Sequence, residues 1–171
     1  VSGQHRGMLD QVLQIAGIMP HFDLDLMQPN QTLDSLTANL LTGIGRVLDA
    51  EQPDWVVVQG DTATAMAGAL AAYYRKIPVD HVEAGLRSFD RKMPEEVNRV
   101  LVDHCSDLLS CPTKTAVDNL EKEGIVKGVH LTGDVMADIL RECISIAEKS
   151  SKILEELALS PKEYYLATVH R

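Results

Sequence analysis

Residues 55–58, Trp-Val-Val-Val, make an apolar run too short for a helix and rich in β-branched side chains. Such a run suits a strand buried on both faces of a parallel sheet. It closes on Gly60-Asp61-Thr62, and the segment that follows, 62–75, has helical length and mostly small residues, fit for close packing on a sheet. The same unit then recurs. Strands are expected at 78–82, 108–111, 129–131 and 164–169, with helices at 95–105, 113–123 and 135–149 between them. This alternation restricts the chain to right-handed βαβ units, and so to an α/β fold: an open parallel sheet with helices on both faces. In such sheets chemistry gathers beyond the C-terminal ends of the strands. Gly60-Asp61, Glu83-Ala84-Gly85, Cys111-Pro112-Thr113, Thr132-Gly133-Asp134 and His170-Arg171 all fall there, so residues distant in sequence are expected along one rim.

Before this region, apolar spacing predicts helices at 6–15 and 32–50, the latter with Leu33, Leu36, Leu40 and Ile44 in one stripe. The alternation Asp23-Leu24-Asp25-Leu26 suggests a short strand, and a short helix is expected within 150–162. The chain lacks an initiating Met, begins like the tail of a strand and ends like a strand entering a loop; it is expected to be a segment of a longer one.

Composition excludes several classes of function. A net charge of −9 with no basic patch argues against nucleic acid. No run of about 18 apolar residues suggests a membrane span. Cys105, Cys111 and Cys143 are odd in number and lack CxxC spacing, which fits reduced thiols in a cytoplasmic protein and neither disulfides nor a metal site. No Walker loop or GxGxxG is present, and no serine has a nucleophile-elbow context.

Three acids stand where a strand ends or a helix begins. Asp61 is either a carboxylate at the crevice or, with Thr62, a cap for the next helix. Glu83 directly follows an apolar strand, where a carboxylate needs a cavity or a partner; Arg87 is the candidate partner, and His81 points the same way. Glu95 opens a helix after Pro94, which suits the helix dipole, and pairs at i,i+4 with Arg99. Arg6, Arg87, Arg91, Lys92, Arg99 and Arg171 lie near the rim of an otherwise acidic chain and suggest a small anionic ligand.

Taken together, QGDTATAMAGALAAYYRKIPVDHVEAGLRS and MPEEVNR resemble the non-hydrolysing UDP-N-acetylglucosamine 2-epimerases. SGQHRGMLDQVL, CPTKTAVDNLEKEGI, VHLTGDVMADIL and the terminal TVHR fit that family in the same order. The resemblance implies a Rossmann-like half of a two-domain fold of the glycosyltransferase-B type, with the active site in the cleft. Residues 1–135 would be the N-terminal domain without its first strand, and 136–171 the interdomain helix and first strand of the C-terminal nucleotide-binding domain. It implies an isomerase without cofactor that interconverts UDP-N-acetylglucosamine and UDP-N-acetylmannosamine. UDP would be eliminated across C1–C2 to give a 2-acetamidoglucal, and added back after C2 is reprotonated on its other face. By motif position Asp61, Glu83, Glu95 and His170 match the catalytic acids, bases and histidine, and Arg99 matches a substrate-contacting Arg, with Arg87 and Arg171 of the basic rim expected as further substrate contacts. Gln4 and Arg6 fall in the segment for a second, activating UDP-sugar. A homodimer and a role in polysaccharide biosynthesis are further implications. The alternatives are a sister 2-epimerase of a diacetamido-uronic acid UDP-sugar, or a non-catalytic α/β domain; a chain of this length alone is expected to be inactive.

Overall fold

The structure is a computed structural model that describes residues 1–3 and 6–169. It divides into two compact units, Val1–Gly133 and Asp134–Arg171. The first unit contains α1 (Arg6–Ala16), α2 (Leu33–Glu51), β1 (Val56–Gln59), α3 (Ala63–Tyr74), β2 (Val79–Val82), α4 (Pro94–Cys105), β3 (Leu108–Cys111), α5 (Lys114–Lys122) and β4 (Val129–Leu131). The second contains α6 (Val135–Ser150) and α7 (Ile153–Glu156).

The four strands form one parallel sheet in the order β1-β2-β3-β4, so each strand pairs with its sequence neighbour across one helix. This is the parallel sheet with helices around it that the sequence predicts, and α3, α4 and α5 all pack on the face that carries Val58, Val79 and Leu109. The register places Val58, His81, Leu109 and Val129 side by side. On this face Val58 and Val79 pack against Ala65, Ala69 and Ala72 of α3 and Val102 of α4, while Leu109 and Cys111 pack against Ala116 and Leu120 of α5. Burial pushes the Cys111 thiol up to about 11, so it behaves as a small apolar side chain and not as a nucleophile.

The small residues of α3 have a direct structural use. Ala67, Ala69 and Ala72 are fully buried, and a Cβ on Gly68 would come within 3.2 Å of Val58 Cγ1. The helix therefore lies close on the strand, with α2 packed along its other side through Leu36 and Leu40. Thr62 starts α3: its hydroxyl accepts from the Ala65 amide at 3.2 Å. Thr62→Ala is expected to cost about 1 kcal/mol, read as a lower urea midpoint with an unchanged slope; an unmoved midpoint would show that the cap contributes nothing.

Three sequence expectations need correction. Residues 55–58 were expected to be buried on both faces, yet Trp55 is 50% and Val57 65% exposed, because β1 is the edge strand and α3 covers one side of it. Residues 23–26 do not form a strand; the Leu24 and Leu26 amides donate to the Val1 and Ser2 carbonyls, at 2.9 and 3.0 Å, without extending into a ladder. Residues 164–169 are irregular over their length. A β-branched or apolar run becomes a strand only when its amides and carbonyls find a neighbouring strand, and none pairs with this run among the described residues.

Candidate active site

The C-terminal ends of β1 and β2 bring Asp61 and Glu83 to the same edge of the sheet. The Gly60 amide donates to the Val82 carbonyl at 3.0 Å, which continues the ladder one step beyond the strands. Both turns leave the strand through left-handed backbone: Gly60 has φ +71° and Glu83 φ +70°. Glycine takes that conformation freely, whereas a glutamate there must be held by its surroundings. The Glu83 carboxylate accepts from Gln59 Nε2 at 2.7 Å, and its second oxygen would lie 3.6 Å from a Cβ placed on Gly60. Gly85, at φ +76°, packs so tightly on α5 that a Cβ would meet the Ala116 carbonyl oxygen at 2.3 Å.

The capping question at Gly60-Asp61-Thr62 resolves residue by residue. Thr62 is the cap, and the Asp61 carboxylate turns to the Arg99 guanidinium of α4. Asn98 donates to the Asp61 carbonyl at 3.0 Å. Arg99 also donates to Glu96 at 3.0 Å, and its Nε is buried with no partner among the described residues. Arg99 thus stands beside Asp61 with an N–H still to satisfy.

Arg87, expected as a substrate contact on the rim, is not on an open surface. Its side chain is 1% exposed and lies between Asp103, at 2.7 Å, and Glu123, at 2.7 Å. It is not the partner of Glu83. Burial disfavours its charge, but the two carboxylates outweigh this and raise its pKa above the ordinary guanidinium value. Asp103 is the hub of this buried cluster, holding His81 Nδ1 at 2.6 Å and the Gly85 amide at 3.3 Å. The other ring nitrogen of His81 meets the Gly60 carbonyl at 2.9 Å. Nothing in the apolar spacing of α4 marks Asp103. The available signal was His81: alternation sets it on the covered face of β2, where an imidazole needs partners.

Pro94 opens α4 with Glu95 and Glu96 in its first turn. Among the described residues the ion pairs of Arg99 run to Glu96, at i,i+3, and to Asp61, and the i,i+4 pair with Glu95 expected from the sequence is not among them. The structural anchor is Glu96, which the sequence did not single out. Glu96 is 4% exposed and accepts from the Ser88 amide at 2.9 Å, the Ser88 hydroxyl at 3.0 Å and the Phe89 amide at 3.0 Å. One carboxylate therefore folds the loop after Gly85 back onto the helix start.

Arg6, expected near a second UDP-sugar, is clasped by Asp23 at 2.6 Å and Asp25 at 2.8 Å. Gln4, His170 and Arg171 lie outside the described residues. Among the described residues no group of three His, Cys, Asp or Glu is placed to hold a metal ion, and no helix is long and apolar enough to cross a membrane.

The family model for UDP-N-acetylglucosamine 2-epimerase matches residues 1–171. The chain belongs to the UDP-N-acetylglucosamine 2-epimerase family. A UDP-N-acetylglucosamine 2-epimerase homolog of Methanococcus maripaludis is 50% identical over 157 residues, covering 87% of this chain and 44% of the relative. The UDP-N-acetylglucosamine 2-epimerase of Escherichia coli is 41% identical over 180 residues, covering all of this chain and 48% of the relative. The crystal structure of the Neisseria meningitidis UDP-GlcNAc 2-epimerase bound to UDP-GlcNAc superposes with a TM-score of 0.82 at 41% identity, over 90% of this chain and 42% of that one. The chain thus spans about half the length of the epimerases it matches. The parallel sheet with its helices is one Rossmann-like half of the family's two-domain fold.

Proposed function

We propose that the protein, at the full length of its relatives, is a UDP-N-acetylglucosamine 2-epimerase whose product is UDP-N-acetylmannosamine. The observation that carries this reading is the placement of two carboxylates, Asp61 and Glu83, at the ends of adjacent parallel strands, with Arg99 beside the first. C2 of the sugar has no neighbouring carbonyl to acidify its proton. Inverting it calls for a base on one face, an acid on the other, and cations that retain the departing UDP between elimination and re-addition. Asp61 and Glu83 are the acid–base pair in this reading, one from the end of each of two adjacent strands. Glu95 and His170 are assigned as further acid–base groups, on the family pattern. Arg99, with an N–H left over from its pairs with Asp61 and Glu96, serves the UDP side together with Arg171. Residues 1–135 form the acid-bearing wall of the cleft and the remainder leads into the nucleotide-binding domain. Binding of UDP-GlcNAc by the Neisseria relative supports the ligand class. We place the enzyme in the cytoplasm, as a homodimer.

The test is to incubate the full-length protein with UDP-N-acetylglucosamine in D₂O and follow C2 by NMR. Deuterium at C2 and a manno product are expected. Absence of both overturns the assignment.

A further inference from the structure

The cluster behind the two acids is a continuous line of polar contacts: His81, Asp103, Arg87, Glu123. His81 and Asp103 have side chains of 0% exposure. Desolvating such a cluster is costly, and apolar side chains of similar volume often stabilise a fold at least as well. What apolar packing does not supply is direction. The Gly60 carbonyl can only accept, so His81 Nε2 carries a hydrogen and donates to it. Asp103 offers one oxygen to His81 Nδ1 and the other to the Gly85 amide and the Arg87 guanidinium.

These contacts frame the acids from both sides. His81 precedes Glu83 by two residues and Gly85 follows it by two; both are fastened to the same carboxylate, with Glu83 left-handed between them. Through His81 the same carboxylate reaches the Gly60 carbonyl, in the peptide unit that leads into Asp61. We infer that Asp103 is a positioning residue for the reaction: acting through His81 and the Gly85 amide, it sets Glu83 and Asp61 relative to one another. It touches neither substrate nor the reacting atoms. The kinetic part of this inference rests on the epimerase reading above.

The test uses full-length Asp103→Asn, which keeps size and one acceptor. Turnover is expected to fall about 100-fold, the effect of a displacement near 1 Å at a reacting group. KM is expected to stay within about threefold, because the UDP contacts are elsewhere, and C2 deuteration to fall in step with turnover. In a crystal structure of the variant, Glu83 is expected to leave its left-handed conformation or His81 to leave the Gly60 carbonyl. Should Asp103→Asn not fold, His81→Gln replaces it in both experiments, with a loss of about tenfold expected from the surviving donor to Gly60. Unmoved acids in the crystal structure overturn the inference. So does a lowered melting temperature with unchanged turnover per folded molecule. A wild-type protein that neither epimerises nor exchanges C2 sinks the epimerase reading instead, and the crystal structure alone then decides the role of Asp103.

Discussion

Full-length Glu83→Gln is expected to lose turnover by about 10³-fold while staying folded. The two halves of this expectation have separate causes. Gln matches Glu in shape, and its side-chain carbonyl still accepts the hydrogen bond from Gln59. The left-handed backbone at position 83 is imposed by neighbours, so the substitution leaves it in place. The stability change is therefore about that of one exchanged hydrogen bond, near 1 kcal/mol. Proton transfer is different, since an amide neither takes nor gives the C2 proton. NMR of the sugar ring measures the first half and thermal unfolding the second. A variant that still turns over removes Glu83 from the chemistry. One that unfolds makes Glu83 a structural acid, the alternative the sequence left open.

Glu96→Ala is expected to cost about 3 kcal/mol of stability. Its carboxylate receives two backbone amides, one hydroxyl and Arg99. Alanine leaves these donors without an acceptor where water reaches poorly. The loss also has a pH signature. Burial raises the Glu96 pKa, but the Ser88 and Phe89 amides, the Ser88 hydroxyl and the Arg99 charge outweigh it, so the folded value lies below the ordinary 4.5. A carboxylate depressed on folding contributes stability above its unfolded pKa and loses it as pH falls through the folded one. The gap in stability between wild type and Glu96→Ala is thus expected to be full near neutrality and to narrow below about pH 4.5. Urea denaturation across that range checks it. A gap that stays constant would assign the loss to packing and not to the charged carboxylate.

The sheet was legible in the sequence because its strands are short, largely apolar runs followed by turn residues such as Gly60, Gly85 and Gly133, and because the segments between them have helical length. The run at 164–169 has the same composition and no ladder, since pairing depends on a neighbour that composition does not report. Asp61 and Glu83 were legible as strand-end acids. Their partners were not. Arg87 looked available to Glu83 four residues away, but the turn at Gly85 carries it to Asp103 and Glu123. Glu95 and Glu96 are equivalent under any helix-dipole argument. Only the return of residues 88 and 89 onto α4 separates them, and that path is set by tertiary contacts.

Helix α4 acts as a single shaft. Its twelve residues, about 18 Å long at 1.5 Å per residue, grip the Ser88–Phe89 loop through Glu96, the Asp61 turn through Asn98 and Arg99, and the flanks of Glu83 through Asp103. A rod with three such grips transmits displacement and does not absorb it. The Asp61 turn and the flanks of Glu83 are thus tied to one rigid element, and on the epimerase reading an anion that drew Arg99 away from Asp61 would be expected to shift both acids together.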